Sequence, residues 1–350
     1  MQFVASLLPI IIYILVVYKI DHFALVNKRR LLQLVVGGML MALVCFGLFS
    51  WLDGVLPDGA HPVVEEGVKA VPLLVLAGRK RMVFFIDSVI CGAAVGGGFS
   101  ILENLFYLVL GQDAGLGTML FRGLEVALVH IGCSAVVAAG LVLVVRQTER
   151  WRSRLGVKPF DVVMTILLLV AAVAAHVCHN HLHFNPVMQF VSVLGVMGGL
   201  LAWTYFYDVD MIHRWLDRGL DEQIQLFQSI RDGQLINTST GAFLESVKAS
   251  FPPLVYFDII CYVRLHAELS VTAKVRFLMR ESGMLPPLGE HERQQVLAKY
   301  QEFKQMEKNM GASAMMTIAP VVKLYPADVN AFRNLISECS ILNLNNFKRH

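Results

Sequence analysis

The stretch from residue 63 to residue 107 reads VVEEGVKAVPLLVLAGRKRMVFFIDSVICGAAVGGGFSILENLFY and places acidic side chains in sequence that is otherwise apolar enough for a lipid core. Glu65 and Glu66 stand near its beginning, and Glu103 lies near its end. A charged side chain near the centre of a bilayer costs about 3 kcal/mol on insertion scales, so an intramembrane acid is by default a functional hypothesis. We therefore expect the function to depend on this stretch.

The composition of the whole chain is that of a polytopic membrane protein. Of its 350 residues, 56% are hydrophobic and 16% are charged, and the mean hydropathy is +0.58, far from the average of soluble proteins. The net charge of +3 is small, and the basic residues form short clusters beside apolar segments, which gives no case for nucleic acid. The six cysteines include no CxxC pair, so neither a disulfide framework nor a thiolate zinc site is predicted.

Seven apolar segments approach the length that a membrane-spanning helix needs. The third is short, begins with two glutamates and contains Pro72, so it either spans the membrane or re-enters it. We predict an all-α fold in which residues 1–207 form a transmembrane catalytic bundle and residues 208–350 form a small, soluble, helical cytoplasmic domain. Segment 251–263 is apolar but short and contains Asp258, which favours a buried helix or an interfacial segment over an eighth span. The seven predicted spans are residues 3–18, 32–52, 63–78, 83–110, 120–145, 161–183 and 187–206.

The charges of the predicted loops alternate in sign along the chain, which orients the bundle through the positive-inside rule. Basic clusters follow the first, third, fifth and seventh segments, whereas Asp53, Asp58 and Asp113 mark the opposite ends. We expect a multi-pass protein of the cell membrane, with its N-terminus outside and its C-terminal domain in the cytoplasm. The basic clusters are Lys19 with residues 28–30, then residues 79–81, 146–158 and 213–214.

Polar residues of the third to sixth segments converge on one membrane depth. With a rise of 1.5 Å per residue and the orientation taken from the loop charges, all of them fall in the outer half of the bilayer. A carboxylate as general base, with imidazole or amide donors facing a developing oxyanion, is what water-activating chemistry needs. The i,i+4 pairs that share a helix face are Glu65 with Lys69, Glu103 with Tyr107, and His176 with Asn180.

These motifs resemble the PrsW family of intramembrane proteases, which is distantly related to the CAAX prenyl protease and bacteriocin-processing group. The resemblance covers residues 63–183 in the family's order. The wider group typically has the motifs EExxxR and FxxxH. The chain departs from it with Lys69 in EExxK and with Glu103 in place of the histidine, and is similar to the PrsW variant. The matching motifs are Glu65-Glu66-x-x-Lys69, Phe99-x-x-x-Glu103-Asn104-x-x-Tyr107, His130 and His176-x-x-x-Asn180.

The resemblance implies proteolysis of a membrane-associated protein, of the anti-sigma-factor type that acts in stress signalling. It leaves open whether a metal is used, since a metal-free glutamate mechanism needs the same side chains; if a metal is used, zinc is expected. The implied roles are water activation by Glu65 or Glu66, completion of the water or metal site by His130 and Glu103, oxyanion stabilisation by His176 and Asn180, and support from Lys69, Asn104 and Tyr107. The expected metal ligands are Glu66, Glu103, His130 and His176.

Two other classes of protein remain open. A proton- or metal-ion-coupled transporter would use the same intramembrane acids and histidines. In a membrane-anchored adaptor the cytoplasmic domain would do the work, and the polar residues would only join helices. The bilayer and a membrane protein substrate are the expected partners, and the sequence indicates none for the cytoplasmic domain.

Several further polar residues and small residues are interpreted as structural. Arg122 and Glu125 fit snorkelling near a membrane interface, and His179, His181 and His183 fit a loop or interface. The spacings Gly92-x-x-x-Gly96 and Gly195-x-x-x-Gly199 predict helix contacts. The run Gly96-Gly97-Gly98 before Glu103 indicates close approach either of a neighbouring helix or of a substrate backbone.

Overall fold

The computed structural model describes the chain at residues 1–19, 21, 25–52, 55–57, 59–79, 81–110, 115–152, 159–181, 186–322 and 326–346. These residues form helices and turns and include no strand, so the all-α prediction is confirmed for this part of the chain. The chain divides into two compact units, residues 1–209 and 210–350. Asp53, Asp58, Asp113, Lys80 and His183, together with residues 153–158, lie outside the described residues.

The first unit is a set of long helices joined by short connections. Helix α2 begins where the side chain of Asn27 accepts a hydrogen bond from the Arg30 backbone N–H at 2.8 Å, and α4 begins where Asp87 accepts one from that of Val83. Both are side-chain caps of free backbone donors. The helices are α1 Gln2–Lys19, α2 Lys28–Trp51, α3 His61–Gly78, α4 Phe85–Val109, α5 Leu116–Phe121, a π-helical turn Arg122–Val126, α6 Ala127–Arg152, α7 Pro159–His181 and α8 Pro186–Arg231.

Five segments of the described chain are long and apolar enough to cross a membrane. They match the first, second, fourth, fifth and sixth predicted spans, while the segments at 63–78 and 187–206 stay predictions. Most residues of α4 and of the fifth span are buried within the protein, whereas fewer than a third of the residues of α1, α2 and α7 are buried. Helices α4 and α6 are therefore the centre of this unit. The five segments are Gln2–Lys19, Lys28–Trp51, Phe85–Val109, Leu116–Val145 and Pro159–His181.

Glycines of α4 allow its backbone to touch two neighbouring helices. A Cβ atom added to Gly96 would lie 2.3 Å from the carbonyl oxygen of His130 in α6, and one added to Gly98 would lie 2.0 Å from that of Val35 in α2. The glycine run is therefore a packing surface, one of the two interpretations that the sequence allowed. The Gly195-x-x-x-Gly199 contact is not seen among the described residues. A Cβ atom added to either glycine would have no neighbouring atom of these residues within 4 Å.

The second unit continues from α8 with α9 Ser239–Val247, α10 Pro253–Glu281, α11 Glu290–Ile318 and α12 Pro326–Asn346. Its core includes Tyr262 of α10 stacked on Phe303 of α11, with ring centroids 4.4 Å apart. Segment 251–263 is thus mostly part of a helix whose inner face is buried, as the sequence indicated. Helix α11 is interrupted at Gly311, where φ is +72°, a conformation in which glycine avoids steric strain.

Helix α10 also buries polar side chains. Lys274 pairs with Asp328 of α12 at 3.3 Å, and both are almost fully buried. His266 is buried two turns before Lys274 and lies against the rings of Phe303 and Phe332. Burial, and next the charge of Lys274, lower the pKa of His266 to about 4. This histidine is therefore neutral in the folded protein at physiological pH.

We predict that Gly96→Ala destabilises the first unit by about 1–3 kcal/mol, because the added methyl group meets the backbone of α6 rather than a side chain that can move aside. Gly47→Ala in α2 is the matched control, since nothing lies within 4 Å of its Cβ position. The measurement is the unfolding of the full chain by SDS in mixed micelles. Equal stability of the two variants would contradict a glycine-dependent contact between α4 and α6.

We predict a pH dependence of stability from His266. The unfolded chain protonates this histidine near pH 6.5, while the folded chain does so only near pH 4, so unfolding takes up a proton between these values. Stability of the second unit therefore falls as the pH drops through this window, by an amount on the order of 3 kcal/mol. Amide hydrogen exchange in α10 of the full chain, at pH values from 7 to 4, measures the loss.

His266→Leu should remove this part of the pH dependence, because leucine takes up no proton. The exposed residue His291 supplies the matched control, as His291→Leu removes a titrating imidazole from the surface of α11. If wild type and His266→Leu lose protection in parallel below pH 6.5, His266 is not the group responsible.

Candidate active site

Four helices bring ionisable side chains of the predicted motifs together inside the first unit. Helix α3 contributes Glu66 and Lys69, which are only 2% and 1% exposed. Glu103 comes from α4, His130 from α6 and His176 from α7. The packing of α3 against α6 and α7, and of α4 against α6, brings these side chains within hydrogen-bond distance of one another. We call these five residues the buried network.

Glu66 is the centre of the buried network. Its Oε1 atom accepts a hydrogen bond from Lys69 Nζ at 2.6 Å and lies 2.8 Å from His176 Nδ1. Lys69 Nζ also lies 2.9 Å from His130 Nδ1. One carboxylate and one ammonium group therefore tie together α3, α6 and α7 in a region closed to solvent.

These contacts determine which nitrogen of each histidine carries the proton. Because an ammonium group only donates, Lys69 requires His130 Nδ1 to accept, which leaves the Nε2–H of His130 facing Glu103 Oε2 at 2.8 Å. His176 donates its Nδ1–H to the carboxylate of Glu66, so its Nε2 atom bears a lone pair. This assignment follows from the hydrogen-bond pattern, which is how tautomers are inferred.

Glu65 lies at the edge of the buried network. Its Oε2 atom is buried without a hydrogen-bond partner and is 3.7 Å from His176 Nε2. A ligand atom from each of Glu65, His130 and His176 lies within 4.8 Å of the other two. Two imidazoles and one carboxylate are the three-ligand set of many catalytic zinc sites. The unpaired oxygen of Glu65 and the lone pair of His176 fit such a metal.

The donor group differs from the predicted metal ligands, Glu66, Glu103, His130 and His176. Lys69 and His176 both contact Oε1 of Glu66, whereas its Oε2 atom has no hydrogen-bond partner. A carboxylate that hydrogen-bonds a ligating imidazole usually orients it rather than binding the metal. Both nitrogens of His130 are engaged as well, so binding a metal through His130 would replace one of its present contacts.

A second set of contacts extends the network along α4. Arg122 in the π-helical turn donates to Glu103 Oε1 at 3.1 Å, and its guanidinium group lies 3.5 Å from the ring centroid of Tyr107. The predicted pairing of Glu103 with Tyr107 is therefore made through Arg122, which sequence reasoning had assigned to an interface. The sequence did contain a signal for this role of Arg122. The motifs have more acids than cations, and a buried carboxylate requires a partner.

Three predicted positions differ from the arrangement expected from helical spacing. The ion pair of Lys69 is with Glu66 at i,i+3 rather than with Glu65 at i,i+4, and both spacings lie on one helix face. Asn180 is exposed near the end of α7 and makes no hydrogen bond among the described residues. Asn104 is buried and donates to the Ser6 carbonyl oxygen of α1 at 3.3 Å, away from the network.

Glu125 and His179 were also assigned to interface or loop, but the structure buries Glu125 completely. Its Oε1 atom lies 3.5 Å from His179 Nδ1, and His179 is itself only 11% exposed. A snorkelling side chain would have an exposed head group. This pair is therefore part of the protein interior, one turn beyond His176 on α7.

Comparison with known proteins gives one match. Residues 28–206, just over half of the chain, match the family described as PrsW family intramembrane metalloprotease. Searches among curated proteins and among solved structures found no match. The match contains all the motifs on α3, α4, α6 and α7, and the chain therefore belongs to the PrsW family of intramembrane proteases.

Proposed function

We propose that this intramembrane protease hydrolyses a peptide bond of a membrane-embedded protein with water activated at Glu65. Membership of a protease family makes the chain a protease and does not favour the transporter alternative. The observation that carries the mechanism is the unpaired, buried Oε2 atom of Glu65 beside the lone pair of His176 Nε2. A carboxylate oxygen that accepts no hydrogen bond from the protein is available to take a proton from water.

Glu66 and Lys69 have a positioning role in this proposal. Glu66 accepts from His176 and so fixes the ring with its Nε2 atom toward Glu65. Lys69 neutralises Glu66 and holds the neutral tautomer of His130. Neither group of this pair is free to exchange protons with water without breaking a buried charge pair, which is unfavourable.

The second arm of the network holds Glu103 in place. Its two oxygens lie against His130 and Arg122, which balances the charge of the carboxylate in the protein interior. The oxyanion role implied for His176 with Asn180 is not supported by these contacts, because Asn180 is exposed and the Nδ1–H of His176 is used by Glu66. We assign oxyanion stabilisation to no single residue.

Zinc is the metal that we propose for the family's metalloprotease character, held by Glu65, His130 and His176. With zinc bound, Glu65 would be a ligand rather than the free base, and His130 would give up its contact with Lys69 or with Glu103. When bound, such a metal supplies Lewis acidity that polarises the scissile carbonyl group and acidifies water. The protein's own contribution is to orient His176 through Glu66, which is the usual way in which a neighbouring carboxylate fixes a ligand imidazole.

The cellular setting that we propose follows from the loop charges and the family. The chain crosses the cell membrane seven times, with the segments at 63–78 and 187–206 added to the five apolar spans, its N-terminus outside and residues 208–350 forming a cytoplasmic domain. Its substrate is a membrane-associated regulator of the anti-sigma-factor type, so that cleavage is a step in stress signalling.

We predict that Glu65→Gln reduces cleavage by about 10³-fold, since it removes the general base or a metal ligand, while stability is nearly unchanged. Comparison of the membrane proteomes of cells carrying wild type and Glu65→Gln should show one substrate that stays uncut. Glu245→Gln, an exposed glutamate of α9, is the matched control and should cleave normally. Full cleavage by Glu65→Gln would contradict the mechanism.

We predict that Glu66→Gln, unlike Glu65→Gln, strongly lowers the stability of the protein. This change leaves Lys69 buried without its counter-charge and should lower the free energy of unfolding by about 3–5 kcal/mol. Adding Lys69→Met removes the stranded charge, so the double variant should recover stability without recovering cleavage. The measurement is SDS-induced unfolding, and additive losses in the double variant would show that the two side chains are not coupled.

We predict that the purified full chain carries about one zinc ion, bound by a three-ligand site. Metal content measured by atomic emission should fall at least tenfold in Glu65→Ala and in His176→Ala, and stay unchanged in Cys178→Ser, an exposed residue of α7. Cleavage should stop when a chelator removes the metal and return on addition of Zn²⁺. Cleavage that continues in metal-free protein would instead favour the glutamate mechanism without metal.

A further inference from the structure

Glu125 is a buried acid outside the buried network, and the proposed chemistry does not use it. The residue is 0% exposed, and neither of its oxygens has a hydrogen-bond partner. His179 Nδ1 lies 3.5 Å from Oε1, at ion-pair distance. Leaving a buried acceptor unpaired costs about 1–3 kcal/mol, and more for a charged group. Such an acceptor persists in a folded protein when a ligand supplies the missing donors.

The π-helical turn places Glu125 on the inner side of its helix. The Ala127 N–H bonds to the Arg122 carbonyl oxygen, five residues back, as in the single π turns that often occur at functional sites. Two contacts fix the opposite side of the turn against α1: an added Cβ at Gly123 would lie 2.5 Å from the Ser6 carbonyl oxygen, and Tyr13 donates to the Leu124 carbonyl oxygen at 3.0 Å.

Glu125 adjoins the buried network. Arg122 in the same turn holds Glu103, and His179 follows His176 by three residues on α7. His179 also interacts electrostatically with His176, Glu103 and Arg122. Glu125 is thus linked to the buried network through Arg122 in its own turn and through His179, one helical turn beyond His176 on α7.

Proteolysis within a membrane creates the donors that this carboxylate lacks. A substrate helix satisfies its backbone N–H groups internally, and unwinding it to expose one peptide bond frees several of them in a medium without water. Each freed N–H needs an acceptor, and a carboxylate offers about four lone-pair sites on two oxygens. Hydrogen bonds from N–H groups to a carboxylate are about twice as strong as neutral ones.

We propose that Glu125, held by His179, is a subsite that accepts backbone N–H groups of the substrate segment unwound beside the scissile bond. The inference rests on the proposed function and names the part of the substrate that this subsite binds. A basic substrate side chain fits less well, because Arg122 already places a positive charge in the same turn. A metal fits less well too, since the three-donor group among the described residues includes neither Glu125 nor His179.

The test is a double-mutant cycle between the subsite and the substrate backbone. The probe is a quenched-fluorescent apolar peptide of about 20 residues, long enough to span a bilayer, in detergent micelles with the full chain. A set of such peptides carries one N-methyl amide each, at successive positions around the cut. One N-methyl position should lower kcat/KM of wild type about tenfold or more, the loss of a hydrogen bond to a charged acceptor.

In Glu125→Leu the same N-methyl group should change kcat/KM by no more than about twofold, because its hydrogen bond is already absent. Should Glu125→Leu not fold, Glu125→Gln serves, since its amide keeps one acceptor oxygen in the same volume and the effect should shrink severalfold. Cys178→Ser should behave as wild type. An equal loss in wild type and in the Glu125 variants, at every position, overturns the subsite.

Binding separates this inference from the proposed function. Fluorescence anisotropy of the same peptides with Glu65→Gln, compared with Glu65→Gln/Glu125→Leu, reports the subsite without chemistry. N-methyl-sensitive binding by a wild type that cleaves no peptide would refute the proposed function and leave the subsite. Normal cleavage with N-methyl-insensitive binding would refute the subsite alone, as would a lysine side chain that raises cleavage only when Glu125 is present.

Discussion

The ammonium group of Lys69, buried between Glu66 and His130, is the interaction on which the rest of the site depends. Removed from water, the carboxylate of Glu66 is tolerable only beside a cation at this distance. Once the pair exists, the tautomer of His130 follows, while Oε2 of the neighbouring Glu65 stays without a hydrogen-bond partner. This difference between the two acids is the basis for proposing a structural role for Glu66 and a chemical role for Glu65.

The predictable part of the structure is the part that local periodicity and composition control. Apolar segments of sufficient length gave five of the spans, because a helix is the form in which a lipid-exposed backbone satisfies its own hydrogen bonds. The motif order placed Glu66, Glu103, His130 and His176 on helices that do meet. The spans and the helices that carry the motifs could be predicted because they depend on residue type and spacing, which the sequence shows directly.

The unpredictable part depends on rotation of one helix against another. Lys69 could reach Glu65 or Glu66 along α3, and the partner it has is Glu66, the acid that also contacts the imidazole of His176 on α7. The π-helical turn adds a residue to one turn and so turns Arg122 and Glu125 inward. A sequence pattern with the 3.6-residue period of a regular α-helix does not show this change of register. Asn180 shares the face of His176 but lies too close to the end of α7 to enter the core.

Helix α7 is attached to the rest of its unit in two different ways. Near its beginning, Thr165 donates to the Gly140 carbonyl oxygen of α6 at 3.4 Å, and near its end His176 and His179 lie against Glu66 of α3 and Glu125 of the π-helical turn. Its outer face is apolar and exposed. Movement of the end of α7 away from the core would break the Glu66–His176 hydrogen bond and would open the buried network on the side where the apolar outer face of α7 is exposed.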